Sequence, residues 1–555
     1  MKRDQAGRPR RGGLLTLIFS LACAASVSAR VYAETLQYEL TPRFEQGVLH
    51  VELTWETGER RQSGLQVSES VGPIRDVTRL LRGLAISADN EQSGALWVIR
   101  HRPGEVLRCS YDIFTGKNAF QDWDDKHYPI TTSRFFHGLG GAFLLVPGVG
   151  TGIPAEFDVL LRWKLPENFK AVCSWGVGRT LGARMTPADL RQSVYLAGDI
   201  DIVTRPNGPR TINVAVFDRF GFTLDDFADM TAEIIRQQCT FMGETEFPDF
   251  VVTAIPAGPA LKPGESRIAG SGLYNSFALF VAPDTKLDDA VEHLFAHELF
   301  HFWNGRLLKA DQPERLVYWF IEGFTDYYAL RILYESGRWD AATYTKWINK
   351  HIREYCLNPA IHATNEEIER DYWKERQTVG EVAYQRGLML GLRWRKLARQ
   401  RGGADGLDRF FKLLVVRGRA GGLTANNAVL RRVGSETLGA WYADEFDRYV
   451  TQAQTIDLPP DALAPALTGK MTDVYAYDVG FDQRASLKRR FVTGLKPNSQ
   501  AAQAGLREGD ELLAWNIQGD PDVPVKLKIA RQGRTQIIEF LPRGEKRMAM
   551  QFFAN

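Results

Sequence analysis

His297-Glu298-Leu299-Phe300-His301 sets two imidazoles four residues apart. On a helix, positions i and i+4 share a face, so both rings can reach one metal ion. Glu298 follows the first histidine and lies beside that face. It can take a proton from water activated by the ion without being a ligand itself. Further along, Glu322 sits inside the apolar stretch VYWFIEGFTDYYAL. A carboxylate there is costly unless it is paired or holds a metal. Glu322 can complete a His-His-Glu set for Zn²⁺ that leaves the fourth position to water. Asp326, one turn on, can accept the other ring N–H of a ligating histidine and fix its tautomer. The competing reading pairs Glu322 and Asp326 with arginines such as Arg315 or Arg331. His293 precedes His297 by four residues, but Leu294 follows it, so that register lacks the base. His293 is therefore expected to be a supporting or surface residue.

Chemistry of this kind is hydrolysis of a peptide bond. The ion polarises the carbonyl and acidifies water. Glu298 accepts the proton during attack and hands it to the leaving amine. The developing oxyanion needs one more donor. Tyr327, Tyr328, Tyr372 and Tyr384 are the candidates, and composition does not choose among them.

These residues must be positioned by helices. TKLDDAVEHLFAHELFHFWN predicts a helix with acidic residues at its start, as the helix dipole favours. PERLVYWFIEGFTDYYALRILYESG predicts a second, ending near Gly337. LDDFADMTAEIIRQQCTFMG predicts a helix starting near Asp225 or Asp226, and FPDFVVTAIPA and LYNSFALFVAP predict strands. GPALKPGESRIAGSG reads as a loop. Residues 34–225 carry short alternating or apolar runs separated by turn residues, a β-rich, sandwich-like region. Residues 341–450 read as further helices. LPPDALAPALTG is a composition break and an expected linker, followed by a small module of short strands.

The chain has 555 residues, 44% hydrophobic and 25% charged, which are globular values that allow several domains. Its formal charge is +2; residues 1–33 carry six basic residues against Asp4, a net of +5, leaving 2 − 5 = −3 for the remainder. That balance does not point to nucleic acid. The basic stretch to Arg11, the apolar run Leu14–Val27 and small-residue sites ending at Ala29 and Ala33 form the layout of a secretory signal peptide. A periplasmic or secreted protein without a dedicated transmembrane domain is expected; an anchor through residues 14–27 and a lipoprotein at Cys23 fit less well. Cys109, Cys173, Cys239 and Cys356 match no compact metal motif and are either free thiols or one or two disulfides.

HELFHFWN at 297–304, WFIEGFTDYYA at 319–329, AYQRG at 383–387 and AAQAGLREGDELLAW at 501–515 together resemble the M61 family of glycyl-aminopeptidase-like zinc metallopeptidases, which often carry a C-terminal PDZ domain. The resemblance implies a multidomain α+β chain. The expected parts are a signal peptide (1–33), an N-terminal β-sandwich-like domain (34–225) and a thermolysin-like, gluzincin catalytic domain (226–345). A helical domain (346–457), a linker (458–469) and a PDZ-like domain (470–545) follow. It implies one Zn²⁺ held by His297, His301 and Glu322, with Glu298 as general base, Asp326 orienting a ligand and Tyr384 donating to the tetrahedral intermediate. It also implies peptide substrates, and a peptide or protein C-terminus bound at the PDZ-like domain, for which Val479-Gly480-Phe481 is a candidate carboxylate loop.

One segment departs from the family pattern. Members carry Gly-Gly-Leu-Glu-His on the strand lining the cleft, where by analogy the Glu holds the substrate α-amine. Here the matching cleft residues are Gly272, Leu273, Tyr274 and Asn275, after Ser271. Tyrosine offers no full negative charge near neutral pH. Glu265, or another carboxylate folded into the cleft, would have to replace it. Aminopeptidase action therefore stands beside two alternatives, an endopeptidase and a PDZ-mediated peptide-binding scaffold with weak catalysis.

Overall fold

The computed structural model describes residues 34–555 apart from 118–119, 121–122, 149–152, 259–267, 402 and 404. The leader with Cys23, and Glu265, lie outside the described residues.

Alternation builds the N-terminal region. Thr35–Arg43 and Val48–Glu56 bury every second residue, as the two-residue period of a strand requires. Leu36, Tyr38, Leu40, Val51, Leu53 and Trp55 enter one core. Six-, four- and five-stranded sheets form this part.

The expected boundary at 225 cuts through a different sheet. Ile200–Asn207 and Arg210–Phe217 form an antiparallel pair, and the second runs parallel to Phe250–Pro256. Phe250–Pro256 is parallel to Ser276–Val281, whose other neighbour is the antiparallel edge strand Ile268–Leu273. Strand patterning is the same whichever sheet a strand joins, so the sequence could not show that residues 200–217 belong with the metal-site sheet. The edge strand falls in the segment whose composition reads as a loop. Gly270 and Gly272 weaken its strand signal, and pairing with Ser276–Val281 overrides it. Val252, Ala254, Leu279 and Val281 face the core shared with the helices. Their alternates Val251, Ile255, Ala278 and Phe280 face the N-terminal region.

Helix Leu224–Met242 is capped by Thr223, whose side chain accepts from the Asp226 N–H, and closes on the left-handed Gly243. Helix Asp289–Phe300 is capped by Asp288. It ends at His301 rather than running on to Asn304. The second expected helix is also interrupted. Glu314–Val317 is a 3-10 turn, Tyr318–Ile321 is helical, and a helix resumes over Gly323–Glu335 with Glu322 at the joint.

Helix Glu381–Arg401 crosses this joint very closely. A Cβ on Gly387 would lie 1.8 Å from the Trp319 carbonyl oxygen and 2.6 Å from the Gly323 Cα. Only glycine at both positions lets the backbones approach so far, and the crossing sets Tyr384, one turn before Gly387, beside the metal helix.

The segment expected as a linker is packed. Leu458, Ala462, Leu463 and Leu467 are buried in the core that also holds the metal helix. Strand Leu467–Tyr477 pairs with Arg543–Ala554, which continues past residue 545. Asn349 clamps its end, donating to the Phe552 carbonyl at 2.8 Å and accepting from the Phe552 N–H at 2.7 Å. Proline-rich composition signals a non-helical path, not a free one. The C-terminal strands Glu511–Asn516, Val525–Arg531 and Arg534–Phe540 form a sheet around Val492, Leu506, Leu512 and Ile529. Gln532 and Gly533 take the positive φ angles of a tight hairpin turn. The Gly480 N–H donates to Asp478 Oδ1 at 2.8 Å, so that amide of the candidate carboxylate loop is already engaged. The four described cysteines are free thiols. No described helix is long and apolar enough to cross a membrane.

Gly387→Ala is expected to force the two helices apart. Overpacking of this kind costs about 1–3 kcal/mol. Urea unfolding should show a lower midpoint; an unchanged midpoint would mean that the close approach is not needed.

Candidate metal centre

His297 and His301 come from the end of helix Asp289–Phe300, and Glu322 from the joint of the second helical run. The His297 and His301 Nε2 atoms are 3.1 Å apart. Glu322 Oε2 lies 3.3 Å from His297 Nε2 and 3.4 Å from His301 Nε2. Zinc bonds of about 2.0–2.1 Å to nitrogen and oxygen make a tetrahedron with edges of about 3.3–3.4 Å. Three ligand atoms spaced 3.1–3.4 Å apart, close to that edge, and a borderline N,N,O donor set fit a zinc ion with one position left open.

Neither acidic residue has the arginine partner of the competing reading. Arg315 pairs with Glu369, and Arg331 with Asp408 and Glu335. Asp326 is buried and its Oδ1 lies 2.7 Å from His297 Nδ1 and 3.0 Å from His293 Nε2. Asp326 with His293 and His297 forms a second group within metal-binding reach. Its 2.7 Å contact is a hydrogen-bond length, shorter than a tetrahedral edge. The cleft, moreover, is lined by His297, His301 and Glu322 and not by His293 or Asp326. Asp326 thus holds the outer nitrogen of His297, and His293 backs it.

Asn304 ties the two ligand-bearing segments together. Its backbone carbonyl lies 3.0 Å from His301 Nδ1. Its side-chain amide donates to the Phe320 and Ile321 carbonyls, which the break at Glu322 leaves available, and to Thr325. These contacts require the helix to end at His301. Asn304 belongs to a stretch that the sequence comparison singles out, but its bridging role depends on a break that helical periodicity does not reveal.

Glu298 is fastened to the sheet. Gly272 N–H on the edge strand donates to Glu298 Oε2 at 3.0 Å, and Gly272 has no Cβ to hold the carboxylate away. Gly272, Leu273, Glu298 and Tyr384 line the same cleft, which measures about 440 Å³. Tyr384 lies nearly parallel to the His297 ring, with centroids 6.1 Å apart. Its hydroxyl is 3.3 Å from that of Tyr372. Burial, with the nearby Glu322 charge, holds the Tyr384 hydroxyl well above its ordinary pKa, so it stays a donor. Tyr327 and Tyr328 are buried in the core and do not line the cleft.

Tyr274 and Asn275 do not line the cleft themselves; both contact Arg306, which does. The Arg306 guanidinium lies 4.2 Å from the Tyr274 ring centre and donates to Asn275 Oδ1. Glu314 also lines the cleft, and no described side chain pairs with it. Burial and the Glu322 charge push its carboxyl up. Arg306 and Glu314 carry no sequence signal: they stand among the scattered charges Arg306, Lys309, Asp311, Glu314 and Arg315.

Burial disfavours the charged forms of His297, Glu322 and Asp326, and their mutual attraction overcomes it. The two histidines are raised, while Glu322 and Asp326 are lowered.

The M61 glycyl aminopeptidase family model matches residues 290–389, the stretch holding both histidines, Glu298, Glu322 and Tyr384. A search of curated proteins finds no significant match. The fold is similar to a crystal structure of an aminopeptidase N family protein from Idiomarina loihiensis, with a TM-score of 0.69 at 16% identity, over 93% of this chain and 98% of that one. It is also similar to an M1 zinc metallopeptidase from Deinococcus radiodurans, with a TM-score of 0.50 at 18% identity, over 77% of this chain and 95% of that one. A substituted form of the latter, bound to a Tyr-Ser-Ala substrate, has a TM-score of 0.50 at 17% identity over the same shares. At these identities the likeness is one of fold.

Because both histidine pKa values are raised, zinc must displace protons that an ordinary imidazole would already have lost near neutral pH. Zinc affinity should therefore rise with pH through and above the usual imidazole range. Titration calorimetry at pH 7 in buffers of different ionisation enthalpy should find about one to two protons released per zinc. Release of none would contradict the charge balance described.

Proposed function

We propose that this chain is a zinc-dependent peptidase of the M61 type, acting as an aminopeptidase. The observation that carries this is the tetrahedral-edge spacing of His297, His301 and Glu322 in one cleft with Glu298. When bound, zinc supplies a Lewis acid that polarises a carbonyl and acidifies water. Glu298, fixed by the Gly272 N–H, takes the proton lost by the attacking water and returns it to the departing amine. The Tyr384 hydroxyl donates to the oxygen that gains negative charge. Asp326 keeps His297 in the tautomer that frees Nε2 for the ion.

The amine anchor in this reading is Glu314, in place of the carboxylate absent at Tyr274. It lines the cleft and neighbouring Arg315 is engaged by Glu369, so its charge is available to a substrate ammonium. Relatives in fold include a protein described as of the aminopeptidase N family, which agrees with this choice. The N-terminal leader fits export to the periplasm, and the C-terminal module fits a PDZ-like domain that grips peptide or protein C-termini.

Glu298→Gln is expected to keep zinc and lower turnover about 10²–10⁴-fold. Turnover at the wild-type level would remove Glu298 as the base. Tyr384→Phe should lower kcat about 10²–10³-fold, the usual effect of losing one oxyanion donor; an unchanged kcat would place the hydroxyl outside the reaction. On paired free and N-acetylated peptides, the protein should cleave the free form alone. Glu314→Gln should raise KM for free peptides about tenfold or more, from the ~1.5–3 kcal/mol typical of a charged hydrogen bond. Cleavage of N-acetylated peptides at internal bonds would replace the aminopeptidase by an endopeptidase.

A further inference from the structure

Arg306 lines the cleft and is half-buried, yet no described carboxylate forms an ion pair with it. Asp189 acts on it electrostatically, but that carboxylate accepts from the Thr186 N–H and hydroxyl. Buried cations are ordinarily paired. The guanidinium is held by other means. Tyr274 lies against it at 4.2 Å and Phe302 at 5.4 Å, while Asn275 accepts one of its five N–H groups. Asn275, at φ 44°, sits in the two-residue turn between the edge strand and Ser276–Val281. Such contacts orient the planar fork without cancelling its charge.

We infer that Arg306 anchors a carboxylate of the peptide that enters this cleft. The inference rests on the peptidase reading only for the identity of the ligand as a substrate. A planar, pre-oriented fork matches a carboxylate with two parallel hydrogen bonds. The residues at 274 and 275 gain a reason from it. An acid at either place would pair with Arg306 and neutralise it; tyrosine and asparagine hold the guanidinium and leave its charge free. Glu314, of opposite sign, lines the same cleft without pairing with Arg306 among the described residues, so the cleft presents one anion and one cation. The carboxylate can be that of an Asp or Glu side chain or a free C-terminus. Each is satisfied by the same fork.

The test uses alanine tetrapeptides with one Glu or one Gln at each position, each made as the acid and as the C-terminal amide. Binding to zinc-loaded Glu298→Gln protein is measured by calorimetry, and hydrolysis by wild-type protein is followed in parallel. A Glu peptide binding about tenfold or more tighter than its Gln twin assigns the side-chain carboxylate. The same advantage of acid over amide assigns the C-terminus. Adding Arg306→Gln should bring that ratio to about one, and Arg306→Lys, a charge without the fork, should keep part of it. Thermal unfolding of both variants checks that the fold is kept. A ratio unchanged by Arg306→Gln, or no carboxylate advantage in any peptide, overturns the inference. Carboxylate-dependent binding without hydrolysis would uphold it and remove the peptidase reading; hydrolysis without carboxylate dependence would do the reverse.

Discussion

Glu322 is a carboxylate set in an apolar helical joint whose only paired basic groups among the described residues are the two imidazoles of His297 and His301. Desolvation of such a charge is expensive, and only a compensating positive charge makes it tolerable. Much of the surrounding architecture serves that compensation. The metal helix stops at His301 so that Asn304 can reach back to the ring and across to the broken helix. Asp326 adds a second buried negative charge against the far side of His297. The Gly323–Gly387 crossing packs a third helix against the same joint and delivers Tyr384. These groups form a cluster within metal-binding reach, where a divalent cation would balance the two carboxylates.

The candidate metal cluster was legible in the sequence because helical periodicity alone brings His297 and His301 together, and because Glu322 and Asp326 are conspicuous charges in an apolar run. Glu298 was legible for the same reason. Less visible was everything that depends on where helices end or which strands pair. The stop at His301, the joint at Glu322 and the placement of Ile200–Phe217 in the metal-site sheet are tertiary outcomes that local pattern does not encode. Leu458–Leu467 illustrates the converse. Its composition marks a break in regular structure, yet four of its apolar side chains are needed by the core. Among four candidate tyrosines, the backbone crossing at Gly387 distinguishes Tyr384, and that crossing joins residues far apart in the chain.

The cleft combines the candidate metal cluster with a charged rim. Hydrolytic groups sit on elements locked by the core: a helix, an edge strand and a helical joint. Arg306 and Glu314 lie in the turns just after the histidines and just before the glutamate run, where charge can differ without disturbing the ion site. Such a division is how one fold can keep a reactive centre while its rim varies.

All of this depends on a single ion held by His297, His301 and Glu322. X-ray absorption of the zinc-loaded protein, compared with His301→Ala and His293→Ala, tests that most directly. The account predicts two imidazoles with oxygen ligands at about 2.0–2.1 Å, zinc lost from His301→Ala and kept by His293→Ala. Zinc kept by His301→Ala and lost from His293→Ala would move the ion to the Asp326 side and contradict it.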